Sequence, residues 1–444
     1  MMRMQLVGLV VLAASLAMLT ASCGLLFAWP EAGAPEGKAA SAKPSFAEFD
    51  RRARAGERLN VVFFGASLTW GANASDPMQT SYRALVAQRL EKTYPEARFK
   101  FLDAAIGGTN SQLGLFRFER DVLAKKPDLV FVDFSANDDI YSGDEETLAS
   151  YEAIVRRIIL EAKCPVELVI FPFQWNVQAG NLDVMKRRIA HLTIGMAYNA
   201  PVGDAIGLAV ERVKSGATTI EKIWPVDGVH PCDAGYVVFA DAAWDSFVDA
   251  VKREAVCAAP EEMVYAPTYM TSARVRISTL GALPAGWTVR KPNVVSAYFD
   301  MLMSRWLDHE TVASNRREVV GADGQKKSEP CQPAPLKVKF NGAMVMLFGE
   351  STQKSSKYRV SIDGKLIEHK SSDGKEMLKE YDGGFLANMV KGNAHHYQVI
   401  ATGLDPSREH TLEIEPVMAA DPEQELRLES ICVAGGQAKV WLAD

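Results

Sequence analysis

Three residues in two short segments of the chain have the chemistry to activate a hydroxyl group for attack on an ester. Ser67 lies in GASLT, residues 65–69, while Asp227 and His230 lie in DGVHP, residues 227–231. A serine hydroxyl is a poor nucleophile until a base takes its proton. A histidine supplies that base, and a carboxylate on its far ring nitrogen fixes the tautomer and stabilises the imidazolium. We therefore interpret Ser67 as a candidate nucleophile, His230 as its base and Asp227 as the orienting acid.

Two further segments offer the hydrogen-bond donors that such a reaction needs. The oxyanion formed during ester cleavage is stabilised by donors that are in place before the reaction starts. Gly108, in IGGT at residues 106–109, presents a backbone N–H with no Cβ in the way. Asn137, in SAND at residues 135–138, adds a side-chain amide. Together with the N–H of Ser67, these two residues form the predicted oxyanion hole.

Each of these residues also has a plain structural interpretation. Ser67 could cap a helix, Asp227 and His230 could pair within a turn, and Gly108 could belong to a simple chain reversal. An aspartate–histidine pair can also bind a metal ion, but no third ligand stands at a suitable spacing in the sequence. We therefore expect neither a metal nor a cofactor.

Strand and helix patterns alternate along the chain from Ser45 to about Ala258. Runs of β-branched and aromatic residues predict strands at 59–64, 99–104, 129–134 and 166–171, with helical stripes between them. Repeated βα units predict a doubly wound, mostly parallel sheet covered by helices on both faces. Three of the four segments directly follow a strand, so they can converge at one edge of the sheet, where open α/β sheets hold their chemistry. The DGVHP turn must then approach that edge from a facing loop.

The four segments, in this order and spacing, resemble the sequence blocks of the SGNH, or GDSL-type, hydrolases. Residues 65–69 resemble the family's serine block, Gly108 its glycine block, Asn137 its asparagine block, and Asp227-x-x-His230 the block that holds the base. The resemblance covers about residues 60–250. It implies a flavodoxin-like fold for this region, a serine–histidine–aspartate triad, and an oxyanion hole formed by the serine, glycine and asparagine.

Smaller features narrow the resemblance and also mark where the chain departs from it. Trp70-Gly71 after the serine block and Gly235-Tyr236 after the histidine are similar to the branch rich in bacterial carbohydrate esterases. Ala66 stands where the family usually has an aspartate, and Ser135-Ala136 replace a Gly-Gly pair before the asparagine. Because an alanine lacks the conformational freedom of glycine, we expect the second change to reshape the loop under the asparagine.

The pattern changes after about Pro260. Residues 259–335 are predicted to form a connecting region, and from Leu336 to Asp444 apolar residues alternate with polar ones at a period of two. Many short strands separated by polar turns predict an antiparallel β-sandwich or jelly roll at residues 336–444. This second domain has two open interpretations, a carbohydrate-binding role and a purely structural one.

The first residues indicate export. An apolar run after Arg3 ends in LTASCG, residues 19–24, which resembles a bacterial lipoprotein processing site with Cys23 as the lipidated residue. Residues 1–23 are therefore predicted to be a lipoprotein-type signal peptide and 24–44 a flexible tether. The alternative is an uncleaved transmembrane anchor, since the whole apolar run is long enough to span a bilayer. Either way we expect an exported protein, periplasmic or at the cell surface, that meets the membrane only through this anchor.

Composition excludes some partners. The 444 residues suit two domains, and a net charge of −6 gives no reason to expect nucleic acid as a partner.

The expected substrate is an acylated carbohydrate. Trp70, Trp175 and Trp224 are candidates for stacking on a sugar, and packing within the protein is the alternative for each of them. Export permits disulfides, and Cys331 and Cys432 could pair, although connectivity does not follow from sequence.

The predicted function is that of a serine esterase that removes O-acyl groups, most plausibly acetyl, from carbohydrate by way of an acyl-enzyme. The alternatives are a polysaccharide O-acetyltransferase, a lipase or lysophospholipase, and a binding protein with a decayed site. The glycan and the oligomeric state do not follow from the sequence.

Overall fold

The computed structural model of the chain describes residues 44–293, 307–322, 324–371 and 374–443. The predicted signal peptide with Cys23, and the predicted tether up to residue 43, lie outside the described residues. Two regions are distinguished below by their architecture: the parallel-sheet domain, residues 44–258, and the sandwich domain, residues 267–443. Within the described ranges, no helix is both long and apolar enough to cross a membrane.

The parallel-sheet domain is built on a parallel sheet whose strands run in the order β2-β1-β3-β4-β5 within the described residues. This is the flavodoxin-like order, in which the chain reverses its winding between β1 and β3. The strands are β1 (Arg58–Gly65), β2 (Arg98–Ala105), β3 (Leu129–Val132), β4 (Val166–Ile170) and β5 (Val202–Asp204). The predicted doubly wound parallel sheet is therefore confirmed.

Helices cover both faces of this sheet, as the stripes of apolar residues predicted. They are α1 (Phe46–Arg54), α2 (Ser67–Trp70), α3 (Tyr82–Thr93), α4 (Ser111–Asp121), α5 (Glu145–Arg157), α6 (Gln174–Ala179), α7 (Lys186–Ala197), α8 (Ala205–Lys214), α9 (Ile220–Ile223) and α10 (Asp233–Lys252). Several begin at a side-chain cap: Ser81 accepts from an N–H in the first turn of α3, and Asn110 does the same for α4.

The sandwich domain is made of antiparallel strands. They are β6 (Ser272–Arg276), β7 (Trp287–Arg290), β8 (Glu310–Ser314), β9 (Arg316–Val320), β10 (Lys326–Pro330), β11 (Leu336–Asn341), β12 (Met344–Ser351), β13 (Lys357–Ile362), β14 (Lys365–Leu366), β15 (His369–Lys370), β16 (Met377–Leu378), β17 (Tyr381–Asp382), β18 (Ala394–Ala401), β19 (His410–Val417), β20 (Glu425–Ala434) and β21 (Lys439–Leu442). One further helix, α11 (Phe385–Val390), precedes β18.

In the described part of the chain, two larger sheets form the sandwich. One has the order β14-β13-β19-β11-β21 with β17 attached to β13, and the other has the order β18-β12-β20-β8-β7 with β6 attached to β20. The predicted antiparallel sandwich is confirmed. Strands β6, β7 and β8 come from the range that the sequence assigned to a connecting region, and they complete the second sheet by pairing with β20 or with each other.

The central strands of the second sheet, β12 and β20, are buried on both faces. Along β12, Val345 and Leu347 point into the core between the two sandwich sheets. Met344, Met346 and Phe348 alternate with them and belong to the same continuous hydrophobic core as the parallel-sheet domain. Side chains alternate between the two faces of a strand, so this one strand contributes to both cores. The two domains therefore share apolar packing rather than meeting through a linker.

The suggested pairing of Cys331 with Cys432 is wrong, because both are free thiols. Cys432 is buried within β20, whereas the Cys331 thiol donates to the carbonyl oxygen of Ser314.

Candidate active site

The candidate nucleophile is placed by a sharp turn at the end of β1. The strand ends at Gly65, and Ser67 is the first residue of the single-turn helix α2. A Cβ on Gly65 would lie 2.5 Å from the backbone oxygen of Asp133 and would also overlap Thr69 Oγ1. Only glycine fits there without a shift of the backbone. Ala66, the departure from the family pattern, is fully buried with φ −115° and ψ −149°.

The structure brings the three predicted catalytic residues together. Ser67 Oγ lies 3.0 Å from His230 Nε2, and both side chains are buried. His230 Nδ1 lies 3.5 Å from Asp227 Oδ2. This second separation is longer than a direct hydrogen bond, and contacts of this kind often tighten only when substrate is bound. The order of contacts is that of a nucleophile, a base and an orienting carboxylate.

The pKa values of this pair are shifted by their surroundings. Partial burial would raise the pKa of Asp227, but the backbone N–H groups of His230 and Val229 both donate to Oδ1 at 2.7 Å, and the net pKa is lowered. Burial also lowers the pKa of His230, and the nearby Asp227 carboxylate opposes that effect only in part. The aspartate is therefore ionised and the imidazole neutral at neutral pH, which are the states that base catalysis requires.

A loop after the nucleophile holds the base turn in place, and the sequence analysis missed it. The side-chain amide of Asn73 donates to Asp227 Oδ2 at 2.8 Å. Further along, Ser75 donates from its backbone N–H and its hydroxyl to Asp233 at the start of α10, and Tyr236 in α10 donates to the carbonyl oxygen of Ala72. The sequence signal was a polar segment, residues 73–76, directly after the serine block.

The predicted oxyanion residues lie on two loops at the same edge of the sheet. Gly108 has φ +70°, a left-handed conformation that favours glycine. Its loop is fixed by the backbone N–H of Ile106, which donates to Gly65, and by the Thr109 hydroxyl, which donates to the Ile106 carbonyl at 2.7 Å. Asn137 is half-buried and follows β3, which pairs with β1. The loops after β1, β2 and β3 thus leave the sheet at the same edge.

The loop that carries Asn137 is anchored by a serine that replaces the usual glycine. Ser135 donates from its backbone N–H and its hydroxyl to Asp133 Oδ1, at 3.0 and 2.8 Å, and accepts the N–H of Phe171 at 2.9 Å. The side chain therefore ties the ends of β3 and β4 together. Ala136 is not in the left-handed region, so its own backbone does not require a glycine, and the expected reshaping of this loop stays a prediction.

Two buried carboxyl groups and one buried arginine support this loop from below. Burial raises the pKa of Asp133 to about 7, although Ser135 donates to it. Burial also raises the pKa of Asp138 to about 6, against the opposing charge of Arg187, whose Nη1 is 3.6 Å away. Asp138 in turn accepts the N–H of Ser111 at the start of α4.

A second buried arginine joins the serine strand to the glycine strand. Arg117, in α4, donates to the carbonyl oxygens of Gly65 at 2.8 Å and Ala104 at 2.6 Å. Its guanidinium lies over the ring of Phe64 and pairs with Asp121. Burial lowers its pKa to about 10, so it is still charged at neutral pH. Nothing in the sequence distinguished this arginine from a surface residue of an amphipathic helix.

The three candidate tryptophans lie in different environments. Trp175 is 46% exposed, and its ring packs beside Gly228 in the base turn. Trp70 is half-buried at the end of α2. Trp224 is only 4% exposed and belongs to the hydrophobic core, which leaves no face for a sugar. The prediction that Trp224 contacts substrate is therefore wrong, and its packing alternative holds.

A cleft of about 1050 Å³ opens against Gly108. Gly108 is the residue of the parallel-sheet domain that lines it, and the remaining wall belongs to the sandwich domain, including Lys357, Phe385 and Tyr397. The second domain therefore borders the site directly.

Comparison with known proteins finds one matching family and several similar esterases. Residues 63–238 match the GDSL-like Lipase/Acylhydrolase family. An acetylxylan esterase of Geobacillus stearothermophilus is 27% identical over 205 residues, which are 42% of this chain and 92% of that protein. A solved two-domain esterase (CEX) active on acetylated mannans, co-crystallised with mannopentaose, is 24% identical with a TM-score of 0.68, over 90% of this chain and 97% of that one. A second structure of a two-domain esterase (CEX) active on acetylated mannans gives 23% identity and a TM-score of 0.65, over 88% and 95%. The fold of both domains is shared with these structures.

Proposed function

We propose that this chain, whose residues 63–238 match the GDSL-like lipase/acylhydrolase family, is an esterase that removes O-acetyl groups from carbohydrate. The observation that carries the proposal is the 3.0 Å contact between Ser67 Oγ and His230 Nε2, with Asp227 beside the other ring nitrogen. The named activities of the relatives, on acetylated xylan and acetylated mannan, support the substrate class.

In the first half-reaction, Ser67 Oγ attacks the acetyl carbonyl carbon while His230 Nε2 takes its proton. The charge that develops on the imidazole is stabilised by Asp227, which its three hydrogen-bond donors keep ionised. The oxyanion of the tetrahedral intermediate is bound by the backbone N–H groups of Ser67 and Gly108 and by the Asn137 amide. When the intermediate collapses, the sugar oxygen leaves with the proton from His230, and an acetyl-serine remains.

In the second half-reaction, water takes the place of the sugar hydroxyl. His230 removes a proton from that water as it attacks the acetyl-serine, and the same oxyanion hole stabilises the second tetrahedral intermediate. Acetate leaves and the proton returns to Ser67. The proposed reaction uses these side chains, the backbone N–H groups of the oxyanion hole, and water.

The substrate is proposed to lie between the exposed ring of Trp175 and the cleft beside Gly108. Trp175 presents an aromatic face next to the base turn, which suits stacking on a sugar ring. The cleft wall formed by the sandwich domain supports the interpretation in which that domain shapes the binding site. Trp70, half-buried beside the nucleophile, is the second candidate contact.

The cellular location is proposed from the sequence. The apolar run ending before Cys23 supports export and tethering by lipidation, with an uncleaved anchor as the alternative. A mature protein whose N-terminal residue is a lipid-modified Cys23, detected by mass spectrometry, is the expected outcome; an intact apolar run in the mature chain would favour the anchor.

The proposed activity is tested with the purified full-length protein. Acetate release is measured from acetylated xylan and mannan oligosaccharides, together with turnover of aryl esters of increasing acyl length. We expect activity on the acetyl substrates that is lost in Ser67→Ala and retained in Ser246→Ala, which changes a serine in the second half of α10.

Other outcomes identify the alternatives. Cleavage of long-chain esters with aryl acetate untouched would favour a lipase. Transfer of acetyl to an added oligosaccharide with little free acetate would favour an acetyltransferase. Full acetate release by Ser67→Ala would contradict the assigned nucleophile.

A further inference from the structure

The carbonyl oxygen of Gly108 accepts a hydrogen bond from the other domain. The donor is the hydroxyl of Tyr397 in β18, which lies 3.3 Å away and 289 residues further along the chain. The loop after β2 is thus connected both to its own sheet and to the sandwich domain.

Tyr397 is held firmly enough to act as an anchor. It pairs in register with Phe348 of β12, whose side chain belongs to the core of the parallel-sheet domain. Tyr397 itself packs against that core, and the ring of His395 stacks on it at 5.8 Å. The position of its hydroxyl is therefore set by the shared packing of the two domains.

Gly108 is the residue of this loop that most needs such an anchor. A glycine has more accessible conformations than any other residue, and here it is held at φ +70°. Hydrogen bonds within the parallel-sheet domain fix Ile106 and Thr109 on either side, and His395 of the sandwich domain also bonds the Gly108 backbone. Tyr397 bonds Gly108 itself, because its hydroxyl donates to the Gly108 carbonyl oxygen. This bond restricts rotation of the peptide between Gly108 and Thr109, which directly follows the N–H proposed as an oxyanion donor.

We propose, on the basis of the function proposed above, that Tyr397 is a positioning residue of the oxyanion hole and that the sandwich domain is in this way a working part of the esterase. The hydroxyl acts through Gly108 and does not touch the reacting atoms. A donor that is already oriented needs no reorganisation when charge develops, so loss of the anchor lowers the rate of the chemical step rather than substrate binding.

The test compares Tyr397→Phe with Tyr358→Phe in the full-length protein. Tyr358 is also a buried tyrosine of the sandwich domain, and its hydroxyl lies 2.8 Å from His396 Nε2 within that domain. Both variants therefore lose one hydroxyl hydrogen bond, but only one of them loses contact with Gly108. The readouts are kcat and KM for 4-nitrophenyl acetate, the rate of Ser67 phosphonylation by a fluorophosphonate, and the thermal midpoint of unfolding.

We expect Tyr397→Phe to lower kcat and the phosphonylation rate by about three- to tenfold with KM unchanged, as expected for loss of one neutral hydrogen bond. Tyr358→Phe is expected to keep both rates. Unchanged rates in Tyr397→Phe, or equal losses in the two variants, would overturn the proposal. An increase in KM for acetylated oligosaccharides alone would make Tyr397 a substrate contact and would overturn it as well.

Failure of the proposed function gives a different result. In that case the wild-type protein neither reacts with the fluorophosphonate nor depends on Ser67 for turnover, and both proposals fall together. A wild-type protein that reacts normally, with a Tyr397→Phe variant that reacts equally fast, overturns the positioning role alone.

Discussion

At the scale of single residues, the proposed mechanism depends on the ionisation of His230 as its base. His230 is buried against Ser67, and its burial outweighs the attraction of Asp227, so its pKa lies below the ordinary value. Asp227 is kept ionised by donors from its own turn and from Asn73. The carboxylate thus has two tasks, to orient the imidazole and to hold the turn on which that imidazole stands.

The lowered pKa predicts the acid limb of the pH–rate profile. The neutral imidazole is the active form, so activity rises as the pH rises through the pKa of His230. Because that pKa is below its ordinary value, half-maximal kcat/KM is expected below about pH 6.5. The measurement is kcat/KM for 4-nitrophenyl acetate from pH 4 to 8; a midpoint clearly above pH 6.5 would contradict the assigned base.

Asn73→Ala tests the support of the orienting carboxylate. Removing the amide that donates to Asp227 Oδ2 is expected to lower kcat by about three- to tenfold, because the carboxylate is held less well beside His230. The control is Asn60→Ala, whose amide bonds the carbonyl oxygens of Lys125 and Lys126 away from the site. Equal kcat values in wild type and Asn73→Ala would show that the turn alone positions Asp227.

At the scale of elements, side chains of the protein itself tie together the ends of four neighbouring strands, β2, β1, β3 and β4. Arg117 joins the ends of β1 and β2 through two carbonyl oxygens, and Ser135 joins the ends of β3 and β4. Gly65 fits against Asp133 because it has no side chain. The site is therefore placed on a rigid sheet edge, which suits chemistry that depends on small distances.

Gly65→Ala should be strongly destabilising. The added methyl group would lie 2.5 Å from a backbone oxygen, which cannot move independently of β3. We expect the free energy of unfolding to fall by about 3 kcal/mol, at the upper end for overpacking. Gly143→Ala is the matched control, since a Cβ there meets only the Lys186 side chain, 3.4 Å away at its nearest atom. Urea denaturation of both variants provides the comparison, and equal midpoints would contradict the close fit at Gly65.

Asp133→Asn should change how stability depends on pH. The pKa of Asp133 is raised to about 7 by burial, so its contribution to stability is fully present below its ordinary pKa and is lost as the pH rises through about 7. Asparagine keeps an acceptor for Ser135 but cannot ionise. Between pH 5 and 8, we expect the free energy of unfolding of the variant to gain about 2 kcal/mol relative to wild type. A difference that does not vary with pH would contradict a protonated Asp133.

At the scale of the whole molecule, the two domains are joined through one sheet with two buried faces. Met344, Met346 and Phe348 belong to the core of the parallel-sheet domain, while Val345 and Leu347 belong to the core of the sandwich. Removing the parallel-sheet domain would expose the face of this sheet that carries Met344, Met346 and Phe348, and removing the sandwich domain would expose the apolar surface that this face covers. The domains are therefore expected to depend on each other for stability.

A chain that ends at residue 258 should fail to form a stable soluble domain. Its surface would lose the apolar cover that β12 and β20 provide, and exposed apolar surface of this kind promotes aggregation. Soluble yield and far-UV circular dichroism provide the test. The control replaces residues 318–328, in the exposed β9–β10 hairpin, with a short Gly-Ser loop and should stay folded. A soluble, cooperatively folded truncated chain would contradict this interdependence.

The sequence predicted the parts that depend on local pattern and on chain order. The strands that precede Ser67, Gly108 and Asn137 follow from apolar runs, and their convergence follows from the geometry of parallel sheets. Trp224 was misassigned because the sequence around an aromatic residue near a site does not show whether its side chain is buried or exposed. Arg117 and Tyr397 could not be found, since each acts through contacts with residues that are distant in the chain.

The sheet with two buried faces also limits how this architecture can be recombined. Phe348 packs into one core while its neighbour Leu347 packs into the other, so a sandwich taken from a relative would bring its own outer face to meet α4 and the parallel-sheet core of this chain. A chimera could keep the loops of the proposed site and take its sandwich from a relative. In that sandwich, the residues of β12 and β20 that face the parallel-sheet domain would then have to be replaced by those of this protein. If the cleft binds substrate as proposed, substitutions in α11 and in the strands that line it are an easier route to a new substrate range than exchange of the domain.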